Sequence, residues 1–185
     1  TQMSANAIPG VSVAVGIADA PIWSRGYGFA DLENFVPATE RSRYRLASIS
    51  KPITAVALLR LVEAGKADLN DDVRRYVPEF TEKQWPVSLR QLLSHLGGVR
   101  GYNGTESVTT VHYDHVREGL AIFASDPLAH QPGSKYLYSS YGFNLAGAAA
   151  EVIAGKPFRE LLQDSVFAPA GMSATSGLNA IAHAV

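Results

Sequence analysis

Leu46-Ala47-Ser48-Ile49-Ser50-Lys51-Pro52 is the stretch around which the chain is organised. Ser48 and Lys51 stand three apart where an apolar segment begins, and residues three apart share a helix face. That spacing brings the Ser48 hydroxyl within reach of the Lys51 amine, the arrangement of an activated serine nucleophile. A bare Ser-x-x-Lys is common on solvated helix starts, so the surroundings decide its value. From Pro52 to Ala64 the residues are apolar nearly all round (Ile53, Val56, Ala57, Leu58, Leu59, Leu61, Val62), the pattern of a buried helix. Pro52 fits its first turn and Gly65 its stop. Ser48 then sits at the positive end of such a helix, where unpaired backbone N–H groups and the macrodipole favour a developing oxyanion.

Toward the N-terminus, Ile8 to Val15 and Ile22 to Phe29 are short, β-branched or aromatic runs separated by Ala18-Asp19-Ala20-Pro21, and they read as a β-hairpin. Gly10-Val11-Ser12 resembles the start of a hydrolase nucleophile elbow. It lacks a glycine two residues after the serine and a following helix, so Ser12 reads as a strand residue. Asp31 to Arg43 is polar and irregular.

Toward the C-terminus, Asn70-Asp71-Asp72 caps a short turn, and Ser88 caps a helix from Leu89 to His95 that is stopped by Gly97-Gly98. His95 is expected to brace that glycine turn. Arg100 to Ser107 reads as a surface loop and Val111 to Ala124 as a helix. On that helix, His112 and His115 are expected to be solvated, with no third metal ligand at a supporting spacing. After Gln131-Pro132-Gly133 an extended run through Tyr138 leads into a helix starting near Ser139 or Ser140 and reaching Ala154. Gly142, Gly147 and Ala148-Ala149-Ala150 allow that helix a close neighbour. Gly155 ends it, and Phe158 to Val166 forms a last amphipathic helix.

With 185 residues, 46% apolar and 18% charged, the chain is long enough for one sizeable domain or two lobes sharing a cleft. A net charge of −1 without a basic run gives no electrostatic grip on nucleic acid. No cysteine is present, which removes thiol catalysis and disulfides, and no apolar run reaches the ~18 residues of a membrane span. The first basic residue is Arg25, so Thr1 to Ala20 lacks the charged start of a signal peptide.

The ordered blocks together resemble the serine beta-lactamases and penicillin-binding proteins, in the branch of class C enzymes, their esterase relatives and the mitochondrial beta-lactamase-like protein. The resemblance rests on Pro9-Gly10, Gly26 to Asp31, the Ser48 motif with its helix, and Leu61 to Lys66. It continues through Leu92 to Gly98, Gln131-Pro132-Gly133 before Tyr138-Ser139, and Pro169 to Met172. It implies an α/β fold of the beta-lactamase/transpeptidase type: a mainly helical lobe, plus an N-terminal hairpin belonging to an antiparallel sheet. It implies that Ser48 attacks a carbonyl to form an acyl-enzyme, that Lys51 takes or relays the hydroxyl proton, and that Tyr138 acts with it as general base and then protonates the leaving group. No cofactor or metal is called for. The implied substrate is a small molecule or peptide with an ester or amide carbonyl; the residues leave the compartment open, and the resemblance leans toward a periplasmic or secreted one.

Two departures from the family pattern shape the expectation. Ser140 stands where many class C enzymes have asparagine, so it is expected to meet substrate through one hydroxyl rather than an amide, which favours an esterase, peptidase or amidase over an efficient beta-lactamase. The family's third motif, Lys or His then Thr or Ser then Gly, has no match here. The expected organisation is therefore one domain over 1–185 that is incomplete at its C-terminus. It divides into a hairpin and lead-in (1–47), the nucleophile helix with the helical lobe (48–172) and a tail (173–185). A C-terminal fragment or second chain would complete the sheet, because a two-stranded hairpin alone is marginal. The alternative function is a penicillin-binding-like module that binds or assembles without turnover, or an inactive fragment that needs its remainder.

Overall fold

The computed structural model describes residues 2–18 and 20–176. Asp19 in the expected hairpin turn and residues 177–185 of the expected tail lie outside them. The chain forms two compact units, Thr1–Arg45 and a larger one from Leu46 on.

In the first unit a short helix, α1 (Gln2–Ala5), precedes strands β1 (Gly10–Ile17), β2 (Ala20–Asp31) and β3 (Val36–Pro37), paired antiparallel in the order β1-β2-β3. The hairpin is as expected; β3 is not. The Asp31 carboxylate accepts the N–H groups of Glu33 and Asn34, which turns the chain back so that two residues of the region read as irregular pair with β2. Gly26 admits this close return, since a Cβ there would stand 2.1 Å from the Ala38 carbonyl oxygen. Most of the hairpin's large apolar side chains, Val15, Ile17, Ile22 and Trp23 among them, are exposed.

The second unit is helical. A 3-10 turn (Ala47–Ile49) leads into α2 (Ser50–Glu63), followed by α3 (Leu89–Leu93), α4 (Ser140–Ala154) and α5 (Phe158–Leu162), with short turns between. Helix α4 is its axis. Ser139 caps it by accepting the Gly142 N–H, Gly155 ends it at φ 66°, and Leu145, Ala146 and Ala148 to Ala150 are fully buried. The small side chains let Leu58, Leu92, Leu120 and Phe158 pack into one core around it. Burying one Leu or Phe side chain contributes about 1.5–3 kcal/mol, so this cluster is the main stabilising feature of the unit.

Two expectations change. Helix α2 buries only one side, through Lys51, Thr54, Ala57, Leu58 and Leu61, while Val56 and Leu59 stand more than two-fifths exposed. The helix expected over Val111 to Ala124 is a 3-10 segment, Val116–Ile122. The β-branched Thr109-Thr110-Val111 run and Gly119 are poor helix formers. Glu118 instead caps a late start by accepting the Asp114 and His115 N–H groups. His112 pairs with Asp114, and His115 reaches back to the buried Glu151 of α4, whose other oxygen accepts the Phe158 N–H.

Candidate active site

Ser48 lies on the 3-10 turn rather than on α2 itself. Three residues make one turn of a 3-10 helix, so Ser48 and Lys51 are still aligned. Ala47, just before the serine, has φ 46°, a left-handed conformation that alanine rarely adopts and that costs about 1–2 kcal/mol. Backbone strain of this kind persists only where its surroundings hold it in place. Ser48 is exposed, whereas Lys51 on α2 is 6% exposed and Tyr138, ahead of α4, is 45% exposed.

These three side chains converge. Lys51 Nζ donates to Ser48 Oγ at 3.2 Å, and Ser48 Oγ stands 2.6 Å from the Tyr138 hydroxyl, 90 residues away in sequence. The Lys51 ammonium also lies 4.7 Å from the centre of the Tyr138 ring. Burial pushes the Tyr138 phenol up, but hydrogen bonds from Lys51 and Ser48 and the lysine's charge outweigh it, so the phenol sits below its usual range. The arrangement brings together an exposed hydroxyl, a cation that fills one of its acceptor positions, and a phenol oxygen within hydrogen-bond distance of it.

Tyr138 is held by its neighbours on both sides. The His95 carbonyl accepts the Leu137 N–H at 2.9 Å and His95 Nδ1 accepts the Ser139 N–H at 3.1 Å. The Ser139 hydroxyl donates to the Arg100 carbonyl at 2.7 Å. The Arg100 guanidinium in turn grips Glu106 and Asp126, and the Tyr141 hydroxyl donates to Glu106. His95 therefore does not use its side chain to brace the glycine turn. Gly98, at φ 72°, makes that turn itself, with no room for a Cβ against the His130 carbonyl at 2.4 Å.

Ser140 is 6% exposed and borders a void of about 20 Å³ together with Ser50, Lys51 and Thr54. A larger cavity, about 190 Å³, runs along α4 past Glu106, His115, Asn144, Glu151 and Arg159 and touches none of Ser48, Lys51 and Tyr138. Among the described residues no cluster of three or more His, Cys, Asp or Glu side chains is placed to hold a metal.

Sequence reasoning named Ser48, Lys51 and Tyr138 but missed the His95 and Arg100 supports. The one signal for them was position: His95 follows a capped helix and Arg100 opens a loop, and neither reveals a partner about 40 residues on.

The Beta-lactamase family model matches residues 1–181. The human mitochondrial serine beta-lactamase-like protein LACTB is 30% identical over an alignment of 224 positions that takes in 84% of this chain and 41% of LACTB. Among solved structures, the octameric penicillin-binding protein homologue from Pyrococcus abyssi superposes with a TM-score of 0.82 at 25% identity, over 93% of this chain and 41% of that one. EstCE1, a hydrolase with promiscuous acyltransferase activity, does so at 0.79 and 28% identity, over 92% and 49%. The chain thus spans 41% of the length of this curated relative. An end-to-end family match, with an α/β arrangement shared by penicillin-binding and hydrolase structures, leads to one conclusion: the chain belongs to the beta-lactamase family.

Proposed function

We propose that this chain carries the nucleophile of a serine hydrolase that cleaves an ester or amide of a small molecule or peptide through an acyl-enzyme on Ser48. The observation that carries the reading is the three-way contact of Ser48 Oγ with Lys51 Nζ at 3.2 Å and the Tyr138 hydroxyl at 2.6 Å. The Lys51 ammonium favours the phenolate form of Tyr138, which accepts the Ser48 proton as Oγ bonds to the substrate carbonyl carbon. The tetrahedral intermediate collapses as the Tyr138 O–H returns that proton to the departing alcohol or amine. Water then attacks the acyl group as Tyr138 takes its proton, and Tyr138 passes that proton to Ser48 Oγ as the acyl–oxygen bond breaks and the acid departs. The N-terminal end of α2, which has no acidic residue in its first turn, adds a favourable field for the oxyanion. Ser140, which borders the small void beside Lys51, enters the proposal on the substrate side.

The test is intact-mass detection of a fluorophosphonate adduct on this chain and on any longer form that contains it. One adduct per chain, absent from Ser48→Ala, is the expected result. No adduct on either form, or an adduct that survives in Ser48→Ala, overturns the reading.

A further inference from the structure

His95 occupies a backbone position that does not suit a histidine. It follows α3 at φ 59°; its N–H bonds the Leu92 carbonyl and the next N–H, of Leu96, bonds the Gln91 carbonyl. That is the left-handed exit from a helix at which glycine is the usual resident. Chain reversal therefore does not explain the side chain, and what it touches does. The His95 carbonyl and Nδ1 take the N–H groups of Leu137 and Ser139, the two residues flanking Tyr138. The ring centre lies 4.5 Å from that of Tyr138, tilted by 34°, and 5.1 Å from that of Phe143.

We propose that His95 is a positioning residue for Tyr138, gripping the backbone on both sides of it and packing on its ring so that the phenol oxygen stays on Ser48. The inference rests on the reading of Ser48 and Tyr138 as nucleophile and base. Because Nδ1 accepts a backbone N–H, the imidazole carries its one proton on Nε2. Burial, and then the charge of Lys51, push the His95 pKa down, which keeps Nδ1 free to accept. The groups facing the ring are Lys51 from α2 and Tyr136 and Tyr138 from the extended run.

Two variants separate positioning from mere packing. His95→Gly suits the left-handed backbone, so the fold survives, but the ring and Nδ1 are gone. His95→Asn tolerates the same backbone and restores an acceptor near Nδ1. The expected result is fluorophosphonate labelling slowed about 100-fold in His95→Gly, the scale of a misplaced catalytic group, with thermal stability kept and with recovery to within about tenfold of wild type in His95→Asn. Labelling of His95→Gly within about threefold of wild type would overturn the proposal. A second arm needs no activity: in nitrogen-15 NMR of the wild-type chain, His95 should show a protonated Nε2 and a bare Nδ1, with the Ser139 amide shifting in His95→Gly. A proton on Nδ1, or an unmoved Ser139 amide, refutes the grip. If the wild type does not label at all, the hydrolase reading falls, and the NMR arm still decides whether His95 holds the Tyr138 backbone.

Discussion

Each of the two units contains a serine–tyrosine hydroxyl pair, and only one has the makings of a catalyst. Ser12 Oγ and the Tyr44 hydroxyl stand 2.8 Å apart; Ser48 Oγ and the Tyr138 hydroxyl stand 2.6 Å apart. The difference lies in the third partner. Ser12 donates to the Thr39 carbonyl at 2.5 Å, so its proton is committed and Tyr44 must be the donor between them. A phenol that is donating cannot act as a base. Ser48 instead receives a hydrogen bond from Lys51, and no carbonyl claims its own proton, which is therefore available to the Tyr138 oxygen 2.6 Å away once that phenol is ionised. The third group, a carbonyl for Ser12 and an ammonium for Ser48, decides whether the serine's proton is already committed.

The sharpest way to break this comparison is to remove each serine. Ser48→Ala should abolish fluorophosphonate labelling, while Ser12→Ala should label at the wild-type rate. Equal labelling of all three proteins would mean that the contact geometry does not distinguish the pairs. Removing each phenol is the next largest test. Tyr138→Phe should slow acylation by about 10²–10⁴-fold, the range of a general base, and Tyr44→Phe should leave it unchanged. The pH dependence has a definite sign. Tyr138 accepts a proton only as phenolate, so the wild-type rate should rise as pH rises through its pKa, below the ordinary phenol value of about 10, and level off above it. In Tyr138→Phe that rise should be missing, and a rate profile that keeps it would assign the base to another group.

The sequence was legible where a structural signal is local. The hairpin strands alternate with turn formers, Ser88 and Ser139 announce helix starts by side-chain capping, and Gly155 announces a stop. Ser48 and Lys51 could be paired because one helical turn joins them. Tyr138 could not be paired by periodicity, since 90 residues separate it from Ser48, and it was reached through the resemblance of ordered blocks. What stayed hidden was held by long-range or unusual bonds: β3 depends on an aspartate turn, the 3-10 segment at Val116–Ile122 on a glutamate reaching backward, and the His95 grip on a left-handed histidine. The mostly one-sided burial of α2 was also hidden, because an apolar sequence records what could be buried and not what the neighbours cover.

The smallest expected effect concerns how each pair is supported. Ser12 is held by the Thr39 carbonyl, whereas Tyr138 depends on Ser139, which bonds the Arg100 carbonyl, and Arg100 is clamped by Glu106. The Arg100 hydrogen bonds, helped by the Asn103 N–H and the Tyr141 hydroxyl and opposed by burial, bring the Glu106 pKa from 4.5 down to about 2. A carboxyl whose folded pKa is depressed binds fewer protons folded than unfolded. Its stabilisation is therefore fully present above about 4.5 and is lost as pH falls toward about 2. At neutral pH, Glu106→Gln should cost about 1.5–3 kcal/mol, the range for a hydrogen bond to a charged group. The gap between variant and wild type should close as the pH approaches 2, because protonated glutamate and glutamine are then alike in charge. Urea unfolding at pH 7 and pH 2.5 measures this. A gap that stays constant would mean that Glu106 acts through shape rather than charge, and the frame behind Tyr138 would then be no more electrostatic than the loop behind Tyr44.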